Sequence, residues 1–213
     1  MKYTTLFFDL DETLYPTGSG LWQIITDRIS GYMIERMGLD PAIVPELRVR
    51  LFTTYGTTFG GLRREYRIDD HDFLDYVHDL PLTDHLHPDP KLHQMLQAYP
   101  QEKWVFTNAD AGHARRILQV LEIEDCFNGI IDILDIDPHS KPHPNAYHTA
   151  LQLATVDDPT TCVFMDDRHP NLDSARKLGF FTIQVGNHPQ GEIAHPRIPV
   201  ITDLPDVLPL NSA

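Results

Sequence analysis

Hydrophobic and polar positions follow two different patterns along the chain. After a short apolar run at Leu6-Phe7-Phe8, apolar residues recur at helical spacing through residues 17–84, where no convincing strand occurs. From about residue 85 onward, short apolar runs alternate with helix-like segments. That alternation predicts βαβ units, and it favours an α/β fold with a doubly wound parallel sheet of the Rossmann-like type.

The same pattern predicts the individual elements. The predicted strands are Leu6–Phe8, Lys103–Thr107, Gly129–Leu134, Thr161–Met165, Phe181–Val185 and a short one at Val200-Ile201. The predicted helices among them are Gly112–Leu121, Pro144–Leu153 and Asn171–Leu178. The earlier block predicts helices over residues 21–37, 42–55 and 63–66 and from the acidic run at 69–72, with "YGTTFGGL" as a loop because it is rich in Gly and Thr.

The helical block falls directly after the first strand, so it is predicted to be an insertion into the sheet-forming part of the chain. We therefore expect a Rossmann-like core made of residues 1–16 and 85–213. Residues 17–84 are expected to form a helical cap domain.

Composition limits the classes of partner. The formal net charge of −14 disfavours a nucleic-acid polymer, but a small anionic substrate is compatible with it if a metal ion and a lysine reverse the local charge. No run is long enough for a membrane span, and the two cysteines form no CxxC motif. We expect a soluble, cytoplasmic protein without a membrane partner. The pattern predicts no particular oligomeric state.

Polar residues follow several of the predicted strands at the point where each strand ends. Because the carboxyl ends of parallel strands lie along one edge of a sheet, these side chains are expected to meet there. Together they supply carboxylates, a hydroxyl, an amide and one cation, and coincidence becomes the poorer explanation. In chain order they are Asp9, Asp11, Thr107, Asn108, Lys141, Asp166 and Asp167.

This set of groups fits phosphoryl transfer. An aspartate such as Asp9 can act as the nucleophile and form an aspartyl-phosphate. Asp9 and Asp167 could hold Mg²⁺, which takes hard oxygen ligands, while Asp11 could serve as general acid and then as general base.

The remaining polar residues fit the same reaction. Thr107 and Asn108 offer hydrogen-bond donors to phosphoryl oxygens, and Lys141 offsets the charge of the transferring group.

These motifs resemble the haloacid dehalogenase (HAD) superfamily of aspartate-nucleophile phosphotransferases. Its four motifs are matched in order by "DLDET", "FTNAD", "KPHP" and "FMDDRHPNLDSARKLG", and the helical block lies where that superfamily carries a C1 cap. The resemblance implies that Asp9 is the nucleophile and that Asp11 is the acid/base, with its backbone carbonyl on Mg²⁺. It also implies that Asp167 is a metal ligand and that Asp166 acts on the metal indirectly, either through water or by contacting the residues that bind it.

A narrower resemblance is to the pyrimidine 5′-nucleotidase branch of that superfamily. It is carried by "DLDETLYPTGSGLW" together with "YGTTFGGL", whose counterpart in that branch is a cap loop facing the active site. Gly60 and Gly61 would allow this segment to approach closely, and Arg63 or Arg64 could then contact a substrate group.

The expected function is Mg²⁺-dependent hydrolysis of a small phosphorylated metabolite, most readily a nucleoside 5′-monophosphate. A sugar phosphomutase resembling β-phosphoglucomutase shares the four motifs and stays an alternative, as does a phosphatase for another small substrate such as phosphoglycolate. A non-catalytic binding module on the same fold is disfavoured by the intact set of site residues. A dehalogenase is disfavoured because Asp11 is an acid suited to an oxygen leaving group.

Overall fold

A computed structural model describes residues 2–187 and 195–210 of the chain. The sheet within this part contains six strands, all parallel, in the order β3-β2-β1-β4-β5-β6. The strands are β1 (Thr5–Phe8), β2 (Glu102–Phe106), β3 (Gly129–Ile131), β4 (Cys162–Asp166), β5 (Phe181–Val185) and β6 (Arg197–Ile198).

The order of the strands confirms the predicted doubly wound α/β fold. The chain runs outward from β1 through β2 to β3, then returns to place β4 on the other side of β1. Because crossovers between parallel strands are right-handed, connections that run in opposite directions put their helices on opposite faces of the sheet. The strand order reverses between β1 and β4, which is where open α/β sheets form their ligand-binding crevice.

The chain forms helices in the helical block and between strands of the sheet, as the alternation of strands and helices predicts. The helices are α1 (Leu21–Glu35), α2 (Val44–Tyr55), α3 (Thr58–Tyr66), α4 (Asp70–His78), α5 (Leu82–His85), α6 (Pro90–Ala98), α7 (Ala111–Val120), α8 (Pro144–Leu153) and α9 (His169–Lys177). None of the described helices is both long and apolar enough to cross a lipid bilayer.

An aromatic cluster fills the core on one face of the sheet. Phe106, Phe164 and Phe180 contact Tyr147 of α8, and Phe7 contacts Phe106 and Phe180, with ring centroids 5.3–6.5 Å apart and mostly edge-to-face. Phe7 of β1 pairs with Phe164 of β4 and with Trp104 of β2. Phe106 lies two residues after Trp104 and therefore points to the same face. This cluster supports the carboxyl ends of the three central strands.

Helices α1–α5 lie in the chain between β1 and α6, as the patterning of the helical block predicts. Within this block α1 packs against α2 and α4, and α2 packs against α3. The division into a core of residues 1–16 and 85–213 and a cap of residues 17–84 stays a prediction.

The interpretation of "YGTTFGGL" as a loop is wrong, because α3 already begins at Thr58. The Thr57 hydroxyl accepts a hydrogen bond from the Gly60 amide at 2.9 Å and so caps the helix. Phe59 and Leu62 are buried in the core. Capping and burial together outweigh the low helix propensity of the two glycines.

The strand predicted at Val200-Ile201 is also misplaced. The last strand, β6, lies three residues earlier, where Ile198 is buried and pairs with Val185. Ile201 instead begins a 3₁₀ helix that ends at Asp206 and buries Ile201 and Leu204, three residues apart. The rest of the proline-rich tail, residues 188–194 and 211–213, lies outside the described residues.

Replacing Gly61 by alanine is expected to destabilise the protein, because a Cβ there would lie 2.7 Å from Leu51 Cβ of α2. We expect a net loss of about 1–2 kcal/mol in the free energy of unfolding, after the better helix propensity of alanine is allowed for. Urea unfolding would measure it. Gly18→Ala is the matched control, since its Cβ would meet no heavy atom of the described residues within 4 Å. Equal midpoints for the two variants would contradict close packing of α2 against α3.

Candidate active site

The acidic residues of the first and fourth motifs meet at the centre of the sheet edge. Asp9 follows the last residue of β1, and its amide donates to the Met165 carbonyl of β4 at 2.9 Å. Asp166 ends β4 and Asp167 follows it, so both lie beside Asp9. The parallel register of β1 and β4 therefore places these three carboxylates together at the point where the strand order reverses.

Lys141 lies between two of these carboxylates. Its Nζ donates to Asp9 Oδ1 at 2.7 Å, to Asp166 Oδ2 at 3.0 Å and to the Phe106 carbonyl at 2.6 Å. Only 1% of Lys141 is exposed, and the rings of Phe106 and Phe164 lie 5.0 and 5.2 Å from Nζ. All three ammonium protons therefore have acceptors, as a buried cation requires.

The main chain at Lys141 is held by Asn108. The Asn108 side chain donates to the Lys141 carbonyl at 2.9 Å and accepts from the Lys141 amide at 2.9 Å. Asn108 was predicted to bind substrate and does line the site cavity, but its side-chain amide is hydrogen-bonded to the main chain of Lys141 and positions that residue. Thr107 accepts from the Ala109 amide at 3.0 Å, which leaves its hydroxyl proton available as a donor.

Asp166 is fully enclosed by donors. Besides Lys141, the Arg168 amide donates to it at 2.8 Å and the Asn171 side chain donates to both of its oxygens at 3.0 and 3.1 Å. These bonds orient Lys141 and the start of α9. Asp166 therefore serves to fix its neighbours, in keeping with the indirect role that the HAD resemblance implies.

Burial of like charges changes the pKa values at this edge. Burial raises the pKa of Asp9 to about 7, with Lys141 opposing and Asp166 adding to the rise. Burial together with the charges of Asp166 and Asp9 raises the pKa of Asp167 to about 9. The two carboxylates lift the pKa of Lys141 above its usual value against the effect of burial, so the lysine stays charged.

The donor set fits a hard divalent cation. One oxygen each from Asp9, Asp166 and Asp167 lie within 4.8 Å of one another. The Asn171 side-chain oxygen beside them is buried and has no hydrogen-bond partner among the described residues. Carboxylate and amide oxygens are the ligands that such an ion prefers, and a cation here would relieve the repulsion that raises the two aspartate pKa values.

Asp11 lies in a separate environment on the same loop. Tyr15 donates to Asp11 Oδ1 at 2.6 Å, and His113 Nε2 of α7 lies 3.4 Å from the same oxygen. Burial alone would raise the pKa of Asp11, but the hydrogen bonds and charge contributed by His113 and Tyr15 outweigh it, and the net pKa is lowered. The free protein therefore favours ionised Asp11, whereas Asp9 and Asp167 favour protonation.

A residue of the helical block reaches this environment. The His78 ring of α4 stacks on the His113 ring with centroids 4.2 Å apart, and its Nδ1 hydrogen-bonds Asp110, which caps α7. Burial, with His113 next to it, lowers the pKa of His78. The stacked pair therefore joins α4 to the sheet edge directly behind Asp11.

A cavity of about 470 Å³ opens above the carboxylates. Asp9, Asp11, Thr107, Lys141 and Asp167 line one end of it. Twelve of the other nineteen lining residues come from the helical block, and eight of those twelve are apolar or aromatic: Trp22, Ile25, Ile29, Phe52, Phe59, Phe73, Leu74 and Val77. The cavity thus combines a charged end with an apolar one, as small-molecule sites commonly do.

Comparisons with known proteins agree with this geometry. The family model for haloacid dehalogenase-like hydrolases matches residues 3–179. The chain belongs to this family. Phosphate metabolism protein 8 of Saccharomyces cerevisiae is 30% identical over 189 residues, or 81% of this chain, which in turn spans 58% of that relative's length.

Solved structures share the fold of this HAD-like hydrolase. The HAD-hydrolase YfnB of Bacillus subtilis has a TM-score of 0.66 at 13% identity and covers 98% of this chain and 100% of its own. The β-phosphoglucomutase of Clostridium difficile has a TM-score of 0.62 at 17% identity and covers 95% of this chain and 93% of its own. At these identities the likeness shows the fold alone.

The two arginines predicted to contact substrate do not line the cavity of this HAD-like hydrolase. Arg63 pairs with Asp70 at 2.8 Å and with Asp137, and Arg64 is exposed on α3. Because α3 continues through this segment, neither side chain reaches the cavity. Arg48 of α2 lines the cavity instead, and it donates to Ser30 at 2.7 Å while its Nε is buried without a partner among the described residues.

Among the residues of this site that sequence patterning did not single out are Arg48, Tyr15, His78 and His113. Tyr15 and His113 had a usable signal, because Tyr15 lies four residues after Asp11 and His113 lies three residues after the second motif. Arg48 and His78 had none, because their approach depends on how α2 and α4 pack over the sheet edge.

Asp167→Asn is expected to stabilise the protein when divalent metal is removed with EDTA. In the folded state the pKa of Asp167 is raised from 3.8 to about 9, so the folded protein binds this proton more tightly than the unfolded chain does. The free energy of unfolding of the wild type therefore falls as pH rises from about 4 towards 9. The asparagine variant has no carboxyl group at this position, so its stability does not fall for this reason. We expect an advantage of about 1–3 kcal/mol at pH 8 and a smaller one at pH 6, measured by urea unfolding.

Asp75→Asn on the exposed face of α4 is the matched control and should leave stability unchanged at both pH values. Added Mg²⁺ should stabilise the wild type more than Asp167→Asn. A variant that is no more stable than the wild type in EDTA at pH 8 would contradict the crowding of carboxylates at this edge.

Proposed function

We propose that this HAD-like hydrolase is a Mg²⁺-dependent phosphomonoester hydrolase that acts on nucleoside 5′-monophosphates, with pyrimidine nucleotides preferred. The observation that carries the proposal is the two-ended cavity. The carboxylate of Asp9 lies at its charged end, and aromatic side chains form its other walls. The curated relative named for phosphate metabolism supports phosphate chemistry.

In the first half of the reaction, Asp9 attacks the phosphorus atom. Lys141 donates to Oδ1 of Asp9 and Thr13 donates to Oδ2 at 3.1 Å, so the carboxylate is held in one orientation before substrate arrives. A bond forms between an Asp9 oxygen and phosphorus, the bond to the leaving oxygen breaks, and the product is an aspartyl-phosphate.

Asp11 supplies and recovers the proton. It gives a proton to the leaving oxygen, and in the second half it takes one from the water that attacks phosphorus. His113 and Tyr15 keep its pKa low in the free protein, so the nearby negative charge of a bound phosphate must favour its protonated form for the first step. Hydrolysis then releases phosphate and restores the Asp9 carboxylate.

The phosphoryl oxygens would meet a hydrogen-bond donor and a positive charge at the same end of the cavity. Thr107 has a free hydroxyl proton, and Lys141 places a buried positive charge beside Asp9. Asp9, Asp167 and the main-chain carbonyl of Asp11 would hold Mg²⁺, with Asp166 behind them. When bound, the ion supplies positive charge that offsets the repulsion between carboxylate and phosphate. YfnB, which shares the fold, is described as bound to magnesium.

The apolar end favours a nucleoside over a sugar. A planar base can bury a face against an aromatic ring such as Trp22, whereas the hydroxyl groups of a hexose would be left without partners along the apolar wall. The guanidinium of Arg48 offers donors to a carbonyl oxygen of the base. A phosphomutase therefore fits less well, although β-phosphoglucomutase has this fold, and phosphoglycolate would leave most of the apolar wall uncovered.

Asp9→Asn tests the chemistry. We expect Mg²⁺-dependent release of phosphate from nucleoside monophosphates by the wild type and a loss of more than about 1,000-fold in kcat for the variant, because the amide is not a nucleophile. Phosphate release should be measured from pyrimidine and purine nucleotides, hexose phosphates and phosphoglycolate. Interconversion of hexose phosphates without release of phosphate would support the mutase instead, and inertness without metal binding would support a binding module.

Arg48→Met tests the substrate class. The variant keeps the apolar length of the side chain but loses its donors, so we expect KM for the preferred nucleotide to rise about 10- to 100-fold with a smaller change in kcat. Arg64→Met is the matched control, since Arg64 is exposed outside the cavity, and it should leave KM unchanged. If Arg64→Met raised KM and Arg48→Met did not, the nucleotide would bind along α3, as the narrower resemblance implies.

A further inference from the structure

A second group of side chains that could hold a metal ion lies at α9, and one of its members, His169, also lines the cavity above the carboxylates. His169 and Asp173 are four residues apart on α9, which puts both on one face of the helix. His195, immediately before the residues that lead into β6, reaches the same face. One ligand atom from each of the three lies within 4.8 Å of the others.

Contacts at both ring nitrogens hold the His195 side chain in this position. Its Nε2 lies 3.0 Å from Asp173 Oδ1, and its Nδ1 lies 2.7 Å from the Thr182 hydroxyl of β5. The side chain of His195 is buried, and burial, aided by His169 and Arg176 and opposed by Asp173, lowers its pKa. A neutral imidazole fixed through its other ring nitrogen is the usual state of a histidine that binds metal.

His169 is the anomaly that points to a ligand. Both of its ring nitrogens are buried, and neither has a hydrogen-bond partner among the described residues. Its ring centroid lies 5.3 Å from that of His195. Buried polar nitrogens are almost always paired, so an imidazole left without a partner next to another imidazole and a carboxylate indicates a missing group.

We propose that His169, Asp173 and His195 bind a zinc ion at a site distinct from the carboxylate cluster of Asp9, Asp166 and Asp167. Two imidazoles and one carboxylate are a donor set for Zn²⁺ and related borderline ions, whereas Mg²⁺ prefers an all-oxygen set. Three protein ligands leave a fourth position for water. The ion ties the segment before β6 to the helix that follows Asp167.

A second His-containing group, formed by His93, Asp125 and Cys126, is the nearest rival within the described residues. There Asp125 is exposed, His93 is partly exposed, and His93 Nε2 already lies 3.2 Å from both oxygens of Asp125. That arrangement is explained as a surface ion pair and needs no metal.

The test uses the full chain without a histidine tag, from which metal has been removed with EDTA. The protein is titrated with Zn²⁺ in the presence of excess Mg²⁺, so that Mg²⁺ occupies the carboxylate cluster of Asp9, Asp166 and Asp167. Zinc per chain is measured by elemental analysis after gel filtration, and affinity by competition with a chromophoric chelator. We expect one zinc per chain, bound on the order of 100-fold more weakly by His169→Gln and by His195→Gln. His148→Gln, exposed on α8, is the matched control and should bind as the wild type does.

A measurement on the wild type keeps the proposal testable if a variant fails to fold. Long-range ¹H–¹⁵N spectra of the imidazoles should show two histidines changing on addition of one equivalent of Zn²⁺, and Asp167→Asn should give the same spectra. Loss of zinc in His93→Gln, or spectra in which no imidazole changes, would overturn the proposal. Neither result depends on phosphatase activity.

Discussion

The buried ammonium of Lys141 is the interaction on which the rest of the site depends. A charge that is almost entirely removed from water is tolerated only with a full set of acceptors, and here Asp9, Asp166 and the Phe106 carbonyl supply them. Those acceptors come from the ends of β1, β4 and β2, so the three central strands must keep their register for the lysine to remain charged. Asn108 then fixes the main chain that carries the lysine.

The carboxyl groups around Lys141 fall into two sets, one whose pKa values are raised and one whose pKa is lowered. Burial and the charge of neighbouring carboxylates, above all Asp166, favour the neutral state of Asp9 and Asp167, and a divalent cation would relieve this condition. Asp11 is pushed towards the ionised state by Tyr15 and His113. Groups whose environments separate their pKa values in this way are suited to different roles in one reaction.

The helical block shapes what the charged edge can act on. The apolar walls of the cavity come from α1–α4, and the stack of His78 on His113 connects α4 to the environment of Asp11. A movement of these helices would therefore change the cavity and the surroundings of Asp11 together. The same fold serves different chemistry in its structural neighbours, so the lining of this cavity carries more information about the substrate than the fold does.

Hydrophobic patterning was enough to predict the alternation of strands and helices and the residues that meet at the sheet edge, because a parallel sheet brings its strand ends together whatever the loops do. It could not place Arg48, His78 or the His169–His195 pair, which are brought to their positions by contacts between distant segments. It also misread "YGTTFGGL" as a loop, because local propensity carries no information about the surface of α2 against which α3 packs. Tertiary packing decided which arginine of the helical block faces the cavity.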